Sequence, residues 1–357
     1  MPFDVSSRKA ELLKPEFASA RQSCLAQDIA LEATQMLPVA GLKSTRGYGS
    51  DNSIEPFVWQ VMVLTGRALA DDKASRDALV GALETWARAD ALMSTEDTHD
   101  AHFALKRALL PLTTSYLVAE SALEPAQSEL IRTWLDALVR KIDHTFDGDV
   151  DRNNHRYLTD SVLASWGAIV DDTALLDKGE ARLQTALLEQ MRPDGSFPLE
   201  ARRGARAIWY HRQSLASLTT ILAALRYAGR QPLQNPELSD AWERTLTYFT
   251  DSVRWPRLVK HYAAENYIPG PSQDYKRQDL GFLDQRGHGR HYLAWVERAV
   301  SMTDDATVRA RLRSLLDLYA VDERPLIDDF SGGAVTCFAW NPDRATDPSD
   351  VPAAVTQ

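Results

Sequence analysis

Apolar residues recur at helical spacing along nearly the whole chain. In residues 55–69, Phe57, Val61 and Leu64 follow at steps of four and three, which sets them on one face of a helix. Leu79, Leu83, Trp86 and Ala87 form a similar stripe within 74–93. The same periodicity predicts helices over 101–119, 126–143, 156–170, 174–191, 209–228, 238–252, 290–302 and 305–320. Asp71 or Asp72, Pro125 and Asp304 stand where N-terminal capping chemistry belongs. The only β-like candidate is the short run 333–340, GAVTCFAW. Helices in consecutive pairs joined by short turns predict an all-α chain folded as an (α/α) toroid. Antiparallel hairpins then surround a central cleft, one helix of each pair lining it and the other forming the outer ring.

No internal repeat or low-complexity linker divides the chain, so residues 1–357 read as a single domain. Two stretches lack a helical stripe, 40–56 (AGLKSTRGYGSDNSIEP) and 254–291. Long irregular segments in a compact domain are more often functional than accidental. The first reads as a lid loop and the second as a cleft loop. With 44% hydrophobic and 25% charged residues, the chain has ample material for a core. Mean hydropathy is -0.33 and no long uncharged apolar run occurs, which excludes a helical membrane span. The net charge of -10 makes the chain a poor generic partner for nucleic acid, and a monomer is expected. The start, MPFDVSSRKAELLKPEF, lacks a basic segment followed by an apolar one. The protein is therefore expected to be periplasmic or secreted if a signal peptide has been removed, and cytoplasmic otherwise. Cys24 and Cys337 lie near opposite ends, and the sequence, which cannot show that they meet, favours two free thiols.

Three segments concentrate chemistry-bearing side chains. The first, Asp151 to Tyr157 (DRNNHRY), follows an acidic loop and opens a helix. Asn153 or Asn154 suits an N-cap, but capping does not account for Arg152, His155, Arg156 and Tyr157 in the same turn. The second is the turn DGSFPLE, residues 194–200, followed by Arg202, Arg203 and Arg206 and then Trp209, Tyr210 and His211 at the start of an apolar helix. Arg203 and Tyr210, seven apart, share a face if the stretch is helical, so a cation and a phenol converge on one ligand. A solvated basic face beside core aromatics is the alternative. The third, KSTRGYGSD from Lys43 to Asp51, sets glycines around Tyr48 near Lys43 and Arg46, which suits a mobile flap as well as a plain turn.

Asn153-Asn154-His155 with Tyr157, then DGSFPLE, then Arg203-Gly204 with Arg206, Ala207, Tyr210 and His211, resembles the alginate lyases of polysaccharide lyase family five. The stretch from Lys43 and Ser44 to Gly49-Ser50-Asp51 resembles that family's lid-loop motif. The resemblance covers roughly residues 40–230. It implies an incomplete (α/α) toroid with a tunnel-like cleft and neither metal nor organic cofactor. It further implies that Asn154 and Arg203 neutralise a uronate carboxylate while His155 and Tyr210 serve as general base and acid. Leu158 stands where the family usually has Trp, Trp209 where it usually has His, and the lid tyrosine is displaced to Tyr48. Lyases of glucuronan or cellouronate, which share the toroid, are therefore the competing reading.

β-Elimination removes the C5 proton of a uronate and expels the O4 leaving group. A proton beside an ionised carboxylate is hardly acidic, because its removal builds a second negative charge. An arginine fork and an amide donor answer that need. Histidine, titrating near 6.5, is available as a base, and tyrosine, near 10, as an acid. In mannuronate the C5 proton and O4 lie on one side of the ring, so one tyrosine can serve both; where they lie on opposite faces, two groups are needed. Arg192, Arg202, Arg203, Arg206 and Arg212, with Arg254, Arg257, Lys260, Lys276, Arg277, Arg286 and Arg290, offer local positive charge among Trp255, Tyr262, Tyr267 and Tyr275. These suit an anionic polysaccharide despite the acidic net charge. Substrate contacts are expected from Lys43, Arg46, Tyr48, Asn153, Arg156, Arg206, Trp209, His211, Tyr267 and Arg290. A toroid glycoside hydrolase would need two carboxylates, for which Asp51, Asp194, Glu200 and Asp274 are available. A non-catalytic polyuronate-binding protein would need neither His155 nor Tyr210. The eight histidines show no paired metal-ligand spacing.

Overall fold

The computed structural model describes residues 2–27, 36–45, 51–148, 152–265, 275–285 and 290–341. Its helices are α1 (Val5–Leu12), α2 (Ala18–Ala26), α3 (Glu55–Leu69), α4 (Lys73–Arg88), α5 (His99–Ala119), α6 (Pro125–Ile142), α7 (Asn154–Val170) and α8 (Thr173–Gln184). They continue as α9 (Pro198–Ala201), α10 (Ala207–Tyr227), α11 (Pro236–Arg254), α12 (Lys260–Ala263), α13 (Ala294–Ala299), α14 (Ala306–Tyr319) and α15 (Val335–Ala339). Every stretch with a predicted stripe contains a helix, while α1 and α2 lie where no stripe was evident. Asp72 caps α4 by accepting from Ala74 and Ser75, and Glu124 with Gln127 forms a reciprocal box ahead of Pro125 at the start of α6. The cap of α14 is Asp305, one residue beyond the expected Asp304.

Helices pair as hairpins, α3 with α4, α5 with α6, α7 with α8, α10 with α11 and α13 with α14. Within the first pair the rings of Phe57 and Trp86 stack at 3.6 Å. The first member of each pair touches the first member of the next, giving an inner ring α3, α5, α7, α10, α13. Their apolar residues are buried nearly all round, as α10 shows from Ala207 through Leu225. No further hairpin closes the ring among the described residues; α15 bridges α13 and α3 instead. The expected all-α toroid of hairpins is what forms.

The run 333–340 is strand for only two residues. β1 (Ile327–Asp328) pairs antiparallel with β2 (Gly333–Ala334), Ile327 opposite Ala334, and α15 starts at once after it. Gly332 and Gly333, at φ +82° and +127°, make the turn between them. This hairpin tip, Asp329–Ser331, lies against α3, α5 and α10 and so forms part of the cleft wall. No helix among the described residues is long and apolar enough to cross a membrane.

The two chain ends are fastened together. Arg8 of α1 donates to the carbonyls of Thr336, Cys337 and Trp340 at 3.1, 2.7 and 2.9 Å. Cys24 and Cys337 are bridged, with Cα atoms 5.9 Å apart, which overturns the expectation of free thiols. Separation along the sequence is no guide to distance here, because α2 packs directly on α15. Replacing both cysteines by alanine should destabilise the fold by about 2–4 kcal/mol, since the bridge restricts the unfolded chain. Urea denaturation under oxidising conditions measures this; an unchanged midpoint would contradict it.

Candidate active site

The starts of α7 and α10, with the turn before α10, carry the residues expected to act in catalysis. Asn153 caps α7, its Oδ1 accepting the His155 N–H at 2.9 Å, so Asn154 and His155 sit in the first turn. The DGSFP turn is held by Asp194, which accepts from the Ser196 amide at 3.0 Å and hydroxyl at 2.7 Å. Gly195 lies at φ +90° with the Arg244 carbonyl oxygen 2.5 Å from where a Cβ would stand, so no side chain fits there. This turn delivers α9 and then Arg203 beneath the start of α10.

Arg203 and Tyr210 do meet, although not as neighbours on one continuous helix. Gly204 at φ +57° breaks the chain between α9 and α10, and the arginine folds back from the turn. Its guanidinium carbon lies 3.9 Å from the Tyr210 ring centroid. Arg203 is buried, and its Nε has no hydrogen-bond partner among the described residues. Close by, the buried Glu200 accepts from the Asn154 backbone N–H at 2.5 Å and the Ser214 hydroxyl at 2.9 Å. Asn154 donates its side-chain amide to Gln213 at 2.6 Å.

The imidazole of His155 stacks on Phe146 and meets the edge of Phe103, both at 4.8 Å. Lys106, fully buried, donates to the His155 carbonyl at 2.7 Å and lies 3.6 Å from the Phe146 centroid. Burial first, then the charges of Lys106 and Arg203, hold the imidazole well below its usual value. The ring is therefore held neutral at pH 7. Burial acts oppositely on Glu200 and, against the pull of Arg203, pushes it up to about 7.

Other expected contacts are spread along the wall. Arg206 pairs with Asp279 at 3.2 Å and lies 5.0 Å from the Trp209 ring, which packs on Phe282 and Tyr292. Arg290 pairs with Glu55 at 2.6 Å and Asp329 at 3.1 Å, joined there by Arg107 at 2.7 Å. Lys43 is exposed, its backbone N–H bonded to Asp51 at 2.9 Å. Arg46, Tyr48 and Tyr267 lie outside the described residues.

Three expected contacts belong to the scaffold instead. Asn153 is a buried cap. Arg156 grips Asp160 at 2.7 and 3.0 Å and the carbonyls of Asp143 and Thr145, fastening α7 to the loop after α6. His211 is buried against Phe197, with Nε2 3.1 Å from the Thr245 hydroxyl. Leu158 is likewise wholly buried. Reading the sequence missed Gln213 and Lys106. The signals were a glutamine one turn beyond Tyr210 and a lysine inside the apolar stripe of 101–119.

His211 carries a consequence for stability. Burial depresses it to about 3, whereas an unfolded histidine titrates near 6.5. The unfolded chain then takes up a proton that the folded one refuses, so stability is lost as pH falls from about 6.5 towards 3. This single group should cost about 2 kcal/mol by pH 5. Denaturation curves at pH 7 and pH 5 should move apart less in His211→Gln than in the unsubstituted protein; equal displacement would contradict this assignment.

A family model described as alginate lyase matches residues 55–255, more than half of the chain. A polysaccharide lyase of Stenotrophomonas maltophilia is 30% identical over 163 residues, covering 44% of this chain and 49% of that protein. An alginate lyase of Pseudomonas entomophila is 28% identical over 199 residues, 53% of each. The chain thus spans about half the length of the curated relatives it matches. The solved structure of alginate lyase A1-III from Sphingomonas species A1 superposes with a TM-score of 0.69 at 21% identity, over 95% of both chains. That likeness establishes a shared toroid. With the family match running across the helices that build this toroid, the chain belongs to the alginate lyase family.

Proposed function

We propose that this protein is a polysaccharide lyase that cleaves 1,4-linked uronate polymers, alginate and its poly-mannuronate above all, by metal-independent β-elimination. The observation that carries the reading is Arg203, a buried guanidinium stacked on Tyr210 with its Nε unmatched. A buried cation short of acceptors is a receptor for an anion, and a uronate carboxylate fits its fork.

In this mechanism Arg203 and the Asn154 amide draw charge from the carboxylate as it becomes enolate-like. Donors held in place in a dry site typically supply the largest single contribution to such a step. Tyr210, beside Arg203, protonates O4 as the C4–O4 bond breaks, and on mannuronate it also takes the C5 proton from the same side. His155, neutral and partnerless at Nδ1 among the described residues, takes the C5 proton when it lies on the opposite face. The products are a new reducing end and a ring unsaturated between C4 and C5.

The hydrolase alternative draws no support from the carboxylates. Asp51 accepts the Lys43 and Ser53 amides, Asp194 holds its own turn and Tyr262, and Glu200 is tied to Asn154 and Ser214. Asp274 lies outside the described residues. Glucuronan remains chemically served by the same pair of groups. The disulfide supports an oxidising compartment, the periplasm or the cell exterior, as the protein's location.

Poly-mannuronate, polyguluronate and glucuronan, each followed by ultraviolet absorbance of the unsaturated product, test the reading. Tyr210→Phe removes one hydroxyl and should be nearly inactive on every polymer cleaved. His155→Ala should lose guluronate cleavage while keeping part of the mannuronate activity. Full activity of Tyr210→Phe on any uronate polymer would remove Tyr210 from the mechanism.

A further inference from the structure

Asn154 is held from two independent directions. Its backbone N–H runs to Glu200 at 2.5 Å, and its side-chain Nδ2 to Gln213 Oε1 at 2.6 Å. Both partners are buried, and Glu200 is also bonded to Ser214, next to Gln213 on α10. The first turn of α7 and the second turn of α10 are thereby locked together around one asparagine. Asn154 Oδ1 is buried and has no partner among the described residues.

A primary amide is planar and has two different ends. A carboxylate placed against its oxygen is repelled; against its nitrogen it gains a hydrogen bond. Nothing intrinsic to asparagine selects between them, since the two orientations have nearly the same shape. Here an acceptor at Gln213 engages one N–H of Nδ2. That contact fixes the plane of the amide and leaves its second N–H in a set direction. Glu200 meanwhile fixes the backbone from which the side chain springs.

We propose that Gln213 and Glu200 are positioning residues for Asn154, selecting the donor end of its amide for the sugar carboxylate. This rests on the β-elimination reading above, in which Asn154 and Arg203 share that carboxylate. Neither residue touches the reacting atoms; each acts through Asn154. The arrangement keeps a neutral donor aligned before substrate arrives, so that no reorganisation accompanies the build-up of charge.

Gln213→Met keeps the length of the side chain and removes the acceptor. It should unfold at the same temperature as the unsubstituted protein and lower kcat about 10- to 100-fold with KM little changed, the scale of a misaligned catalytic donor. The side-chain amide resonances of Asn154, followed by 15N NMR in uncomplexed protein, should move in the same variant. Glu200→Gln, which keeps an acceptor for both hydrogen bonds, should recover most of the turnover that Glu200→Ala loses. Unchanged Asn154 resonances in folded Gln213→Met, or turnover equal to that of the unsubstituted protein, would overturn the proposal. If no uronate polymer is cleaved at all, the lyase reading fails, and the resonances alone then decide whether Gln213 orients Asn154.

Discussion

An arginine taken out of water without a matched anion is costly, and the site is built around one such residue. Arg203 gains a ring face from Tyr210 and the nearby field of Glu200, yet its Nε stays unmatched among the described residues. Its charge in turn shapes the neighbours. It helps keep His155 neutral and opposes the burial that raises Glu200. Burial is the larger influence on both groups, and Arg203 adds to it at His155 and works against it at Glu200.

Such a residue persists only where the surrounding scaffold is over-determined. Asp160 receives both Arg156 and Arg182, bolting α7 in place. Asp329, at the tip of the β1–β2 turn, receives Arg107 from α5 and Arg290, and Arg290 reaches Glu55 of α3. Arg107 and Arg290 hold the Asp329 carboxyl below its ordinary value despite its burial. The far wall of the cleft is therefore closed by ion pairs, where a complete toroid would use another hairpin. Removing one member of such a buried group is costly because the other charges stay behind.

The inner helices were legible because their stripes are continuous and strongly periodic, as Phe57, Val61 and Leu64 illustrate. The four residues proposed for catalysis, Asn154, His155, Arg203 and Tyr210, stood out through their motifs. Geometry was not, wherever a contact joins distant segments. Nothing in Cys24 and Cys337 tells that α2 lies on α15. Arg156 and His211 carry chemistry-bearing side chains in the right motifs but point into ion pairs and core, because neighbours on a helix face different ways. Gln213 was overlooked for the converse reason: an amide acquires a role only through its partner, here fifty-nine residues away.

In the proposed reaction Arg203 stabilises the charge that develops on a uronate carboxylate. This role is tested most directly by steady-state turnover of Arg203→Ala on the best polyuronate substrate, with folding checked by circular dichroism. An intact fold and a loss of roughly 100- to 1,000-fold in kcat are expected, as for removal of one preorganised donor. A folded variant that turns over at close to the rate of the unsubstituted protein would contradict it.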